Sequence, residues 1–275
     1  MQLTLQSMVG QSMKPIRWVI VDDGSSDKTR EIVGSYMKDH GFIRVVERSR
    51  GQTRQPGSAV VRAFNQGYEA VRGLDYEFIV KLDCDLSFEP DYFQRLLEKF
   101  KADPRLGIAS GVYSESLDGV SWKEVTMPPY HACGASKVVR RACFEQIDGF
   151  VTARGWDTVD EIRATAAGWR TSHFDELKMK HWKPEGSGIG SLRTNFMHGE
   201  IYYRTGGSRT FFVLKVLHRL TRRPFLIGGL ALFWGYLRTM IGRQGRLVTP
   251  GEARCYQALL RERMTGNVKG LLQAN

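Results

Sequence analysis

Two short apolar runs in this chain each end in a cluster of acids, and this pairing constrains the fold more than any other feature. Arg17-Trp18-Val19-Ile20-Val21 runs into Asp22-Asp23-Gly24-Ser25-Ser26-Asp27, and Phe78-Ile79-Val80-Lys81-Leu82 runs into Asp83-Cys84-Asp85. β-branched runs of this length, closed by turn residues, predict buried strands of a mostly parallel sheet. Open α/β sheets bind ligands beyond the carboxyl ends of their strands, so both acid clusters are expected at one rim. Carboxylates one residue apart on a bend can face a single hard cation, Mg2+ or Mn2+, which in turn holds substrate phosphates. The expected ligand is a nucleoside diphosphate. Asp-Gly-Ser is also ordinary turn chemistry and a lone D-x-D is common, so neither cluster carries the reading alone.

The segments between the clusters alternate. Helical spacing covers Lys28 to His40, with Ile32, Val33, Tyr36 and Met37 on one face, and Phe42 to Val46 reads as the next strand. Arg48 to Gly57 has loop composition, and Ser58 to Val71 is helical with Val61, Phe64, Tyr68 and Val71 at core spacing. Pro90 opens a helix through Phe100 that Asp103-Pro104 ends, and Leu106 to Gly111 predicts a strand. Val112 to Tyr130 is turn-rich and is expected to form a strand pair or flap over the acceptor side. Lys137 to Gln146 reads as helical, Asp157 to Ala167 as a helix stopped by Gly168, and Thr171 to Phe174 as a strand.

These residues carry a resemblance. Val19 to Thr29, Ala63-Phe64-Asn65-Gln66-Gly67, Lys81 to Leu86, Gly134-Ala135-Ser136 and Gly155 to Arg163 resemble, in order and spacing, a family 2 glycosyltransferase. The resemblance runs from about Thr4 to Ser187. It implies a GT-A fold with a Rossmann-like sheet flanked by helices, a nucleotide-sugar donor, and inversion at the anomeric carbon. Such enzymes usually open with an apolar strand and a Pro-x-Tyr-Asn-like turn that helps hold the base. Here Met1 to Ser12 looks like the helix that follows that strand, so an apparently missing first strand is expected. An upstream start explains that as well as a catalytically impaired, donor-binding remnant does.

Length and charge set further bounds. A chain of 275 residues can bury a full α/β core with sequence to spare, which suggests a catalytic domain over 1–199 and an appendage over 200–275. Cys84, Cys133, Cys143 and Cys255 show neither zinc spacing nor a secreted disulfide framework, and no secretory leader follows Met1, so a cytoplasmic setting is expected. The formal net charge is +11, and from Ile201 to Gly251 the sequence contains nine Lys or Arg and no Asp or Glu. Those cations interleave with Phe211-Phe212-Val213-Leu214 and with the apolar run Pro224 to Leu237, the composition of a segment lying on an anionic membrane surface. The run is shorter than the roughly 20 residues a spanning helix needs. A pair of amphipathic helices covering the sheet is the alternative. A nucleic-acid partner is not expected, because no binding motif accompanies the basic residues.

The roles of single residues follow from the resemblance. Asp157 falls where the family places its catalytic carboxylate, with Arg163 and Gly168 at the expected offsets, and Asp160, one turn further on, competes for the role. A carboxylate at a helix start is also an ordinary cap. Asp83 and Asp85 are the expected metal and ribose-phosphate contacts, joined by His181. Asp22, Asp23, Ser25, Asn65, Lys81 and Lys183 are expected around the nucleotide, with Arg193 as a further phosphate neutraliser. A metal-assisted transfer to a lipid-linked or polysaccharide acceptor is the leading expectation. A sugar-nucleotide nucleotidyltransferase is the weaker one, since its Gly-rich triphosphate loop is absent.

Overall fold

The computed structural model describes residues 1–47, 58–116, 118–183 and 190–273, and the chain forms two compact units. One comprises 1–164 and 168–184; the other comprises 165–167 and 185–275. The division expected after residue 199 falls inside a continuous helix, Ser191–Arg204, because Gly199 is packed into the second unit.

The first unit is a three-layer α/β arrangement. In chain order it contains α1 (Gln2–Val9), β1 (Trp18–Asp22), α2 (Thr29–Asp39), β2 (Ile43–Glu47), α3 (Ser58–Glu69), β3 (Phe78–Leu82), β4 (Leu86–Phe88) and α4 (Tyr92–Ala102). β5 (Leu106–Glu115), β6 (Lys123–Glu124), β7 (Ser136–Arg140), α5 (Arg141–Gln146), α6 (Trp156–Ala166) and β8 (Arg170–His181) complete it. The loop expected over Arg48 to Gly57 lies outside the described residues.

The expectation of a mostly parallel sheet is corrected. β1 and β2 form a separate parallel pair, while the larger sheet runs β3-β7-β5-β8-β4 with β6 on the edge of β5. Within it only β5 and β8 pair in parallel; β3 with β7, β7 with β5, and β8 with β4 are antiparallel. The cause lies in β7. Ser136 to Arg140, whose last four residues are read from the sequence as the start of a helix, is instead a strand inserted between β3 and β5, and it runs against both. Its Val138 and Val139 are fully buried on opposite faces, one in the cluster around α4 and the other in the cluster around α3 and α5. Among the described residues β1 pairs only with β2 and β3 only with β7.

Packing explains the helices. α4 buries Tyr92, Phe93, Leu96 and Phe100, an i, i+4, i+8 stripe laid on Leu106, Ala109, Leu177 and Met179 of the sheet. α1 docks at β4: Thr4 Oγ1 donates to the Leu86 carbonyl at 2.8 Å and accepts from the Leu86 amide at 3.1 Å. β8 is longer than its sequence signal suggests. Its last residue, His181, stands beside Leu86 of β4 and Glu115 of β5 in the pairing register.

The second unit is helical: α7 (Ser191–Arg204), α8 (Arg209–Leu220), α9 (Ile227–Ile241) and α10 (Pro250–Gln273). α7 and α9 touch backbone to backbone. A Cβ on Gly235 would stand 2.0 Å from the Phe196 carbonyl oxygen, and one on Gly199 would stand 2.1 Å from that of Leu232, so only glycine fits at either crossing point. Tyr202, Phe212, Leu232, Tyr236 and Leu260 form its core. Among the described residues no helix is long and apolar enough to cross a membrane.

Candidate active site

β3 carries charge into the sheet. Ile79 and Lys81 are both buried on it, and Lys81 is tolerated there because its Nζ donates to Asp83 Oδ1 at 2.5 Å and to the Gly134 carbonyl at 2.7 Å. The Asp83 amide donates to the Ala135 carbonyl at 2.8 Å, which extends the β3–β7 ladder by one bond and aims the following turn.

That turn delivers Asp85 to the end of β8. The Trp182 amide donates to the Asp85 carbonyl at 2.9 Å, and His181 Nε2 lies 3.4 Å from Asp85 Oδ1. On the far side of the imidazole, Nδ1 lies 3.4 Å from Glu115 Oε1. These are charge contacts longer than good hydrogen bonds. Burial pushes the Asp85 carboxyl up, but His181 outweighs it and holds the group below the usual carboxylate range. Burial pushes His181 down, and Asp85, Asp83 and Glu115 together carry it above the ordinary imidazole value.

Asp85 Oδ1 and His181 Nδ1 are buried with no hydrogen-bond partner among the described residues. An orphaned buried carboxylate oxygen is costly, and one beside an imidazole suits a divalent cation that prefers oxygen and accepts nitrogen. Among the described residues no three His, Cys, Asp or Glu are grouped to hold a metal by themselves. The residues fit a cation held by two protein ligands and completed by substrate phosphates and water. Asp83, expected as a ligand, has one oxygen engaged by Lys81.

The loop between β6 and β7 joins this corner to α6. A Cβ on Gly134 would lie 3.5 Å from Asp157 Oδ2 and 3.5 Å from Trp156 Cζ2, so the carboxylate rests against the same glycine whose carbonyl receives Lys81. Asp157 is half-buried. Asp160 is different: it is wholly enclosed, with both oxygens 3.0 Å from Lys137 Nζ. Burial pushes its carboxyl up, and Lys137 only partly opposes this.

The first acid cluster is satisfied by its own turn. Asp22 closes β1, accepts the Ser25 amide at 2.8 Å and pairs with Arg30 of α2. The Ser25 contacts, with Arg30, hold its carboxyl at about 2 despite burial. Gly24 makes this turn with φ of +76°, and Asp23 beside it is exposed. Asn65 lies half-buried on α3, the helix that packs on β1 through Gly67. Lys183 is exposed, and Arg193 lies in the second unit.

Lys137, Glu161, His131 and Glu115 escaped the sequence reading. Lys137 was hidden by the helical reading of its segment, although a lysine followed by two valines is equally a strand pattern. Glu161 and Glu115 carry no local signal, since their partners are 24 and 66 residues away in sequence.

Helices on both faces of a mixed sheet, with acids at its strand ends, agree with a GT-A type of fold. The chain belongs to glycosyl transferase family 2, whose model matches residues 1–213. It is 32% identical over 111 residues to poly-beta-1,6-N-acetyl-D-glucosamine synthase of Staphylococcus epidermidis, covering 40% of this chain and 24% of that protein. It is 29% identical over 109 residues to the Staphylococcus aureus synthase of the same name, again covering 24% of it. The matched part thus spans about a quarter of those relatives. Among solved structures, the mannosyltransferase PcManGT from Pyrobaculum calidifontis, in complex with GDP-Man and Mn2+, superposes with a TM-score of 0.54 at 16% identity, over 100% of this chain and 84% of that one. GalNAc-T7 with UDP, GalNAc and Mn2+ gives 0.59 at 10% identity, over 97% and 54%.

Proposed function

We propose that the chain is an inverting glycosyltransferase in which Asp157 is the general base for the acceptor hydroxyl. The observation that carries this reading is the shared glycine. Lys81, itself paired with Asp83, donates to the Gly134 carbonyl, and Asp157 rests against the same glycine, so a donor-side acid and the base are tied to one short segment. Asp157 is the partly accessible carboxylate of the two candidates, and the enclosure of Asp160 disfavours it as a base that must meet substrate. In the transfer, Asp157 takes the acceptor proton as the oxygen forms its bond to the anomeric carbon. The bond to the diphosphate breaks on the opposite face, which inverts the centre. A divalent cation at Asp85 and His181, when bound, supplies positive charge for the departing diphosphate. Lys81 and Lys183 add fixed charge, and Asp22, Asp23, Ser25 and Asn65 are the proposed base and ribose side. Both the mannosyltransferase and the GalNAc-T7 structures contain Mn2+, which supports the metal reading.

The proposed acceptor is a glycan chain or a lipid-linked sugar. Trp182, 40% exposed and edge-on to Trp122 at 4.9 Å, offers an apolar ring surface next to His181 on which a sugar can rest. Calorimetric titration with UDP, GDP and dTDP, with and without Mn2+, tests the donor site, and Asp157→Asn tests the base. Expected are metal-dependent binding of one nucleotide and a variant that keeps that affinity while losing about 10²-fold or more in turnover. A variant with parent turnover would remove Asp157 from the mechanism.

The second unit supports an anionic membrane surface as partner, with the protein peripheral on the inner face of the cell membrane. Its buried face uses Gly228, Leu232, Gly235 and Thr239 of α9, leaving Ile227, Leu230, Trp234 and Ile241 exposed, as are Phe225 just before α9 and Val213, Leu214 and Leu217 of α8. Nine cations and no acid between 201 and 251 match that apolar face to anionic headgroups. Leu230→Asp with Trp234→Asp is expected to cut co-sedimentation with phosphatidylglycerol vesicles at least about tenfold. Unchanged partitioning, or a concentration-dependent dimer lost in the variant, would assign this face to a second copy instead.

A further inference from the structure

We propose that Lys137 is the positioning residue for Asp157, fixing the first turn of α6 against the segment from Ala132 to Lys137 so that base and donor acids keep one geometry. This rests on Asp157 being the base.

Lys137 is wholly buried in β7, beneath the start of α6. Its Nζ donates to the Asp157 carbonyl at 2.9 Å, to both oxygens of Asp160 at 3.0 Å, and to Glu161 Oε1 at 3.2 Å. Burial alone would push the amine down; the charges of Asp160, Glu161 and Asp157 overcome this and hold it protonated. An enclosed cluster of this kind is an expensive way to join a strand to a helix, because apolar residues of similar volume often serve stability as well or better.

The bonds beyond the Lys137–Asp160 pair all end at the proposed site. One fixes the peptide plane of Asp157 and hence the direction in which its side chain leaves the helix. Another runs through Glu161, whose Oε1 accepts the Ala132 amide at 2.8 Å and whose Oε2 faces His131 Nδ1 at 2.9 Å, tying the Gly134 loop to α6. Trp156, immediately before Asp157, has Lys137 Nζ 5.3 Å and Lys81 Nζ 5.4 Å from its ring. The two buried lysines therefore bracket the residue that leads into the base, one of them bonded to Asp83. This positioning is what a base needs, since a misplacement of about 1 Å costs on the order of 10²-fold.

Two variants test this. Lys137→Met leaves two buried acids without their cation and is open to misfolding, so Lys137→Met with Asp160→Leu replaces the pair by apolar residues. Nucleotide affinity is read by calorimetry with UDP, GDP and dTDP plus Mn2+, and turnover by release of the nucleoside diphosphate from the corresponding nucleotide sugars with water as acceptor. The folded double variant is expected to keep nucleotide affinity and KM within about twofold while kcat falls about 10²-fold. Amide exchange, which needs no turnover, is expected to accelerate about tenfold together over 131–136 and 156–161, with α4 unchanged. A folded double variant with kcat near that of the parent and unchanged exchange overturns the proposal. So does a fall in kcat matched by an equal fall in nucleotide affinity, which marks a purely structural pair. Asp157→Asn run in parallel separates the two readings: parent turnover there sinks the base assignment itself, whereas an inactive Asp157→Asn beside an active double variant sinks only the role of Lys137.

Discussion

Asp22 and Asp85 each follow an apolar strand run, yet their surroundings differ in kind. Asp22 is buried with its carboxylate fully engaged, one oxygen on the Ser25 amide and the other on Arg30. Asp85 is partly buried, with Oδ1 lacking a hydrogen-bond partner among the described residues and an imidazole 3.4 Å away. A buried carboxylate bonded by its own turn serves the fold, because its desolvation is already offset. One left with an orphaned oxygen beside a histidine is poised for something outside the chain, and the chemistry of the pair fits a cation. The resemblance in sequence between the two clusters thus conceals a difference in engagement: the Asp22 carboxylate is taken up by its own turn and by Arg30, while Asp85 keeps one oxygen without a hydrogen-bond partner among the described residues.

The largest expected effect is at Asp85. Asp85→Asn keeps the shape of the side chain and removes the charge, so Mn2+ is expected to lose its enhancement of nucleotide binding, with apparent affinity in Mn2+ falling about 10²-fold or more and metal-free affinity unchanged. Calorimetry in the presence and absence of Mn2+ reads both. An undiminished Mn2+ effect would erase the contrast between the clusters. His181→Gln is expected to be milder, about 10- to 100-fold in metal affinity, since a histidine oriented by flanking carboxylates tunes a site that Asp85 still anchors. If His181→Gln weakens Mn2+ more than Asp85→Asn does, the imidazole is the primary ligand and the roles exchange.

The strand ends and the helix faces were legible because they depend on local pattern. The α4 stripe of Tyr92, Phe93, Leu96 and Phe100 and the acids after β3 lie where periodicity and turn chemistry put them. The strand β7 was not legible, because Lys137 to Gln146 reads as helical and only the slot between β3 and β5 makes its first four residues extended. With β7 read as helix, the bonds of Lys137 to Asp160 went unseen, and Asp160 stood as a competitor of Asp157 for the base. The same limit explains the sheet direction: strand runs are visible in sequence, but the sense in which they pair is set by long connections. The continuity of the helix Ser191–Arg204 through residue 199 was not legible for a related reason, since the contact of Gly199 with Leu232 joins residues far apart in sequence.

At the first cluster the expected effects are on stability. The Asp22 carboxyl titrates near 2 in the folded chain, below the roughly 3.9 of an unfolded aspartate, so its contribution is complete above about pH 5 and is lost as pH falls through 4 toward 2. Because Arg30 is half-exposed and screened by solvent, that contribution is put at about 1–2 kcal/mol. Urea unfolding of Asp22→Asn at pH 7 is expected to show this loss, and the difference from the parent is expected to shrink as pH drops to 3. A pH-independent difference would mean that packing, not charge, makes Asp22 matter.

Ser25→Ala is the smallest change and the sharpest test of what the first cluster is for. The backbone amide that binds Asp22 remains in this variant, and only the hydroxyl is lost. If the turn is structural at this position, stability falls by about 0.5 kcal/mol and nucleotide affinity stays within about twofold. Calorimetry with the bound nucleotide decides the matter. A tenfold loss of affinity with stability preserved would show that the hydroxyl meets the ligand, and the first cluster would then be both a self-satisfied turn and a contact surface, its carboxylate facing the protein and its serine facing the donor.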